Sequence, residues 1–297
     1  MDTKSPNLDD VRSEIDKIDR ELFDAIRRRL SLIGDVARAK AAAGDIDGGA
    51  MRPGREASIL RHLAQQNDPL TPVSLTARLW RELVNTATRM QGFMEVSVCA
   101  PDKSVGYWDI ARNHFGATTA MSLHRSPSVV LGRVIEKRGM VGLLPMPMEG
   151  DENPWWVSLA EAGGRIPPKI IWRLPFYSLG HGQFEDLRAF AVAALELEET
   201  GDDITVILVE SDHSGSRGRT LDILNDHKVN ARIMGAQEQE PADLRRLMIE
   251  LDGFRSKDDP LFVELADKLG DGFRRLVILG AYPRPLSKSE GGVDSHG

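Results

Sequence analysis

LDDVRSEIDKIDRELFDAIRRRLSLIGDVARAK, residues 8–40, sets apolar side chains at Leu8, Val11, Ile15, Ile18, Leu22, Ile26, Leu30, Ile33 and Val36. Steps of three and four throughout mark a helix with one buried stripe. Asn7 is a good N-cap, Asp9 and Asp10 suit the first turn, and Gly44 suits the end. Such a helix is roughly 50–55 Å long at 1.5 Å per residue, too long for one compact domain to cover, so a second copy is expected against it. The helix also carries Arg12, Arg29 and Lys40, and Arg55-Glu56 follow in the next segment. Arg29 and Lys40 are about three turns apart and share a face. Arg12 lies about 25 Å from Arg29 along the axis and can join the same pocket only from the other copy. Cations in this layout suit a small substrate with two carboxylates, because the planar guanidinium grips a carboxylate through two hydrogen bonds. For any one of them the plainer reading is a solvated helix face, the one assigned to Arg27 and Arg28.

Outward from this helix, residues 7–95 read as helical throughout. A loop with Gly44, Gly48 and Gly49 leads to a second helix from Pro53 to about Gln66; Asn67-Asp68-Pro69 breaks it, and a third runs from Pro72 to about Met94 with Trp80 in the core. From Val96 short β-like runs appear, VSVCA and MVGLLP, around a helical stretch at Trp108–Phe115. From about Asp203 the pattern is β-α-β-β-α-β. The chain has 297 residues and 45 Asp+Glu against 38 Lys+Arg. That mild acidity and the lack of a basic tract give no reason to expect nucleic acid. The single cysteine, Cys99, suits a reducing cytoplasm; no apolar stretch suggests a membrane span or leader, and the scattered histidines suggest no metal site.

The run VRSEIDKIDRELFDAIRRR, then VARAK, then Arg55-Glu56 within GREASIL, then Gln91 at the end of the third helix, resembles the all-helical chorismate mutase class. The resemblance implies a three-helix, intertwined homodimer that rearranges chorismate to prephenate without cofactor or covalent intermediate. It further implies that Arg29, with Arg12 of the partner chain, binds the two carboxylates and that Lys40 and Gln91 donate to the ether oxygen. Glu56 would accept from the ring hydroxyl, and Arg55 would help hold the site. Two substrate-contacting positions depart from the pattern: Arg52 stands where the family has an Asp, and Ala87 where it often has Ser or Thr. Relatives of this fold also eliminate pyruvate from isochorismate, which leaves that lyase activity as a minor alternative.

Residues 96–186 resemble, more faintly, the start of prephenate dehydratase, a truncated α/β segment. The resemblance rests on VSVCAPDKSVGYWDIARNHFG and VGLLPMPMEG. Ala100 and Pro147-Met148-Glu149 replace functional residues of that family, and Arg188-Ala189-Phe190 stands where it has Thr-Arg-Phe, so dehydration is expected to be lost. Trp155-Trp156 is read as packing rather than as an aromatic ligand shelf. Residues 187–285 resemble the ACT domain of the same dehydratases, on RRLMIELDGFRSKDDPLFVELADKLGDGFRRLVILGAYPRP. This implies an effector of the phenylalanine or tyrosine class, although the effector motifs have drifted. SGSRGRT is read as the turn into a helix, not as a phosphate loop, and residues 286–297 as a disordered tail. The expected fold is therefore multidomain, an all-α mutase domain followed by an α/β lobe and an α+β (βαββαβ) ACT-like domain. Two other functions stay open: a bifunctional mutase–dehydratase, and a catalytically silent amino-acid sensor.

Overall fold

The computed structural model describes residues 7–42, 51–66, 68, 70–101, 105–148, 150–151, 153–177, 186–212, 217–239 and 243–286, without the side chains of residues 37, 40, 41 and 105. Helix α1 spans Leu8–Ala42, α2 Pro53–Gln65 and α3 Val73–Gln91. Asn7 opens α1 as expected, its Oδ1 accepting from the Asp9 N–H at 3.2 Å. Pro53 begins α2, where its fixed φ fits the first turn and its missing N–H is not needed. Helix α3 buries Val73, Ala77, Arg81, Asn85 and Thr88, one stripe at steps of three and four. Gly44 and the rest of the loop after α1 lie outside the described residues, as do Asn67 and Pro69.

The remaining chain alternates strands and helices: β1 (Glu95–Cys99), α4 (Val105–Phe115), β2 (Ala120–His124), α5 (Pro127–Glu136), β3 (Met140–Pro145), α6 (Trp155–Glu161), β4 (Lys169–Leu174), β5 (Ala189–Ala193), β6 (Asp203–Ser211), α7 (Arg217–Asp226), β7 (Ala231–Gln239), β8 (Leu244–Asp252), α8 (Pro260–Leu269) and β9 (Phe273–Pro283). Among the described residues the strands form one sheet in the order β2-β1-β3-β5-β4-β9-β6-β8-β7. Strands β2, β1 and β3 are parallel, joined through α4 and α5, and β5 runs antiparallel between β3 and β4. The β6–β9 unit is antiparallel, and in space its fourth, first, third and second strands are neighbours. The two halves join where Ile170 of β4 meets Gly280 of β9 in parallel. A Cβ at 280 would stand 2.1 Å from the Ile170 carbonyl oxygen, so only glycine admits this approach.

Several elements were not expected from the sequence: β2, α5, α6, β4 and β5. Strand β5 lies just beyond the expected boundary at residue 187. It pairs with β3 and β4, so it closes the middle part, and the βαββαβ unit starts at β6. Trp155 and Trp156 are buried, and the Trp155 indole N–H donates to the Pro145 carbonyl at 3.0 Å, consistent with packing. The stretch SGSRGRT leads into α7, but residues 213–216 lie outside the described residues, as does the tail from residue 287. No described helix is long and apolar enough to cross a membrane.

The helical part is fastened to the rest of the chain through several contacts, two of them from Arg61 and Asn85. Arg61 of α2 donates from Nη1 to the carbonyl and hydroxyl of Thr200, both at 3.1 Å. Asn85 of α3 donates from one amide nitrogen to the Arg81 carbonyl at 2.7 Å and the His114 carbonyl at 2.8 Å. The second contact ties α3 to α4.

Candidate active site

At 100° per residue, α3 presents two faces whose centres lie roughly 130° apart. Arg81, Asn85 and Thr88 form the buried one. Leu83, Ala87 and Gln91 form the other, and α1 reaches it through Arg29, whose Nη1 stands 3.5 Å from the Leu83 carbonyl. Arg29 is half-buried; burial first, and then the positive charge of Arg55, holds its guanidinium below the ordinary arginine range. Two neighbouring guanidiniums at a partly desolvated place favour a carboxylate there. Gln91 donates its amide to the Ala87 carbonyl at 3.1 Å, and Ala87 is buried.

The other expected residues are placed differently. Arg12 is 66% exposed on α1, 3.6 Å from Asp9. Lys40 belongs to the last turn of α1, and its side chain lies outside the described residues. Arg52 turns toward Glu198 at 3.2 Å and lines a cavity of about 430 Å³ with Pro53, Gly54, Arg165, Glu196 and Ala281. None of Arg29, Arg55, Glu56, Ala87 or Gln91 lines that cavity. Arg29 thus lies within the electrostatic field of Arg55, while Arg52 is engaged with Glu198.

Glu56 departs most from expectation. The residue is only 7% exposed, and its Oε2 accepts from Arg81 Nη1 at 2.7 Å. It accepts in addition from the Arg52 backbone N–H, at the start of its own helix. Burial pushes the Glu56 carboxyl above its ordinary range, while the Arg81 charge opposes that rise. Arg81 is 2% exposed and lies with Cζ 4.7 Å from the Trp172 ring centroid and 5.8 Å from that of Phe176. His114 packs edge-on to Trp172 with centroids 4.7 Å apart; burial and the Arg81 charge keep its imidazole neutral well below the usual pH. Arg81 and Asn85 were missed in the sequence reading. The signal was there in the stripe Val73, Ala77, Arg81, Asn85, Thr88, which carries small and polar residues where a core face would carry Leu.

Two further features bear on chemistry. The apolar stripe of α1 stays uncovered in the single chain: Val11, Ile15, Ile18, Leu22 and Ile26 are all exposed, Leu22 at 56%. Cys99 is buried and its thiol is pushed up to about 11, which makes it a poor nucleophile at neutral pH. No group of three or more metal-ligating side chains occurs among the described residues.

Residues 11–92 match the family model of chorismate mutase type II, so α1–α3 form a domain of that family. Two curated relatives are bifunctional chorismate mutase/prephenate dehydratases. The one from Stutzerimonas stutzeri is 25% identical over 146 residues, 48% of this chain and 40% of the relative. The one from Pseudomonas aeruginosa is 31% identical over 108 residues, 36% of this chain and 29% of the relative. The chain thus spans less than half the length of these relatives. Among solved structures, a quorum-quenching acylase, GqqA, aligns with TM-score 0.48 at 18% identity, over 64% of this chain and 94% of that one. The prephenate dehydratase of Arthrobacter aurescens in complex with L-Phe aligns with TM-score 0.45 at 14% identity, over 65% and 90%.

Proposed function

We propose that this chain is a chorismate mutase, working as a homodimer through its type II helical domain. The observation that carries the reading is the family match over residues 11–92, a stretch in which the Arg29 guanidinium feels the charge of Arg55. In the reaction one ether C–O bond of chorismate breaks while a C–C bond forms within the same molecule. No atom or electron enters, so the protein's task is to hold a dianion in its compact conformer and to stabilise charge on the departing oxygen.

Arg29, with Arg12 of a second copy, takes the two carboxylates, and Arg55 completes the cationic pocket. Lys40 and Gln91 donate to the ether oxygen, where negative charge grows as the bond breaks. Ala87 contributes only room at its place on the Gln91 face, and Arg52 is left out because its guanidinium is engaged with Glu198. The sequence resemblance gives Glu56 the ring hydroxyl. Its pairing with Arg81 favours another part, that of fixing the first turn of α2 and with it Arg55. The exposed stripe on α1 supports the second copy, since an apolar helix face of this length needs cover.

The β6–β9 unit is proposed as an ACT-like domain, on its βαββαβ order and the resemblance of residues 245–285. An aromatic amino-acid effector and a cytoplasmic location rest on sequence alone. The test is incubation of the purified chain with chorismate and chromatographic separation of the products. Prephenate as sole product supports the reading. Phenylpyruvate formed without acid treatment means that the middle part still dehydrates, and no product at all favours the sensor.

A further inference from the structure

We propose that Arg81 is a positioning residue through which the sheet sets the mutase site. The route runs from Trp172 and Phe176 to Arg81, from Arg81 to Glu56, and from Glu56 to the turn that carries Arg55. The inference rests on the mutase reading.

Each link is a contact between named groups. The Arg81 guanidinium lies against the faces of Trp172, on β4, and Phe176, just after it. Among the described residues the guanidinium donates from Nη1 to Glu56, and its Nε and Nη2 have no partner. Glu56 then binds Arg81 with one oxygen and the Arg52 N–H within the same carboxylate, so it joins the first turn of α2 to the middle of α3. Arg55 sits in that turn, next to Glu56 in the chain and close enough to Arg29 to feel its charge. Loosening the clamp frees the turn and lets Arg55 drift from Arg29. A displacement of this kind impairs a reaction that depends on the placing of cations.

The clamp needs an ionised carboxylate, and burial works against ionisation. The other titratable groups facing the pair are His114 from α4, Tyr177 after β4, and Arg78 and Glu82 of α3, which act through Tyr177. His114 is kept neutral, and burial pushes the Tyr177 hydroxyl up, so neither supplies a counter-charge at neutral pH. The Arg81 charge, with the Arg52 backbone N–H, offsets the burial of Glu56.

The test is kcat and KM for chorismate against pH in wild type, Arg81→Gln, Arg81→Lys and Glu56→Gln, with circular dichroism to establish folding. The wild type is expected to lose kcat/KM on the acid side as Glu56 protonates. Arg81→Gln moves that limb to higher pH and lowers kcat/KM about tenfold or more at neutral pH, and Arg81→Lys restores part of both. Glu56→Gln lowers the plateau and abolishes the limb. Where Arg81→Gln fails to fold, Trp172→Leu keeps both charges and removes the nearer of the two rings beside Arg81, with a smaller shift in the same direction. A folded Arg81→Gln or Trp172→Leu with the wild-type limb and kcat/KM overturns the inference and leaves the mutase reading standing. A wild type inert toward chorismate overturns both.

Discussion

Arg55 and Glu56 are neighbours in the chain with different surroundings: one shares the field of Arg29 on the exposed side, the other is shut in with Arg81. The sequence placed both in one pocket because spacing reports where a backbone goes and not which of two adjacent side chains turns inward. Gln91 is proposed as a donor whose amide works at any pH. Gln91→Glu converts it to a donor only when protonated, so the variant's kcat/KM is expected to rise as pH falls, the reverse of the wild type. A pH-rate profile checks this. His114 offers a stability test. Its folded pKa lies well below the unfolded value near 6.5, so below that value the unfolded chain binds a proton that the folded chain does not. Stability is therefore fully present above about pH 6.5 and falls on acidification by about 1.4 kcal/mol per pH unit until the folded pKa is reached. Urea denaturation at stepped pH measures it, and His114→Gln is expected to remove that contribution.

At the scale of elements, α1, α2 and α3 were readable because apolar spacing and proline positions are local signals. Strands β4 and β5 were not. AFAVA and KIIWRL are short apolar runs buried on both faces, and such runs carry no periodicity that separates strand from buried helix. Their place in the sheet depends on partners distant in the chain. The junction they build is tested by Gly280→Ala, whose methyl would meet the Ile170 backbone. A loss of about 3 kcal/mol or more is expected from the shift in denaturation midpoint. The dimer belongs to this scale too. Leu22 is exposed in the single chain and is repeated on both copies, so Leu22→Lys is expected to weaken association about a hundredfold or more. Sedimentation velocity over a concentration series reads it, and an unchanged dimer would place the interface elsewhere.

At the scale of the whole molecule, the chain after α3 is built around one continuous sheet, and the helical domain is fastened to it through Arg61, Asn85 and the Arg81 cluster. The order of the parts was legible in the sequence, since each carries its own pattern. How they touch was not, because the contacts join residues as far apart as Arg61 and Thr200, or Arg81 and Trp172, and no local rule links those. The claim that gathers these parts is that the cations of α1 rearrange chorismate. The most direct measurement is chorismate turnover by the wild type beside Lys40→Ala and Arg29→Ala at equal concentration, each shown to be folded. The account predicts prephenate from the wild type and a loss of about a hundredfold or more in each variant. Turnover that survives both substitutions, or a wild type that leaves chorismate untouched, would contradict it.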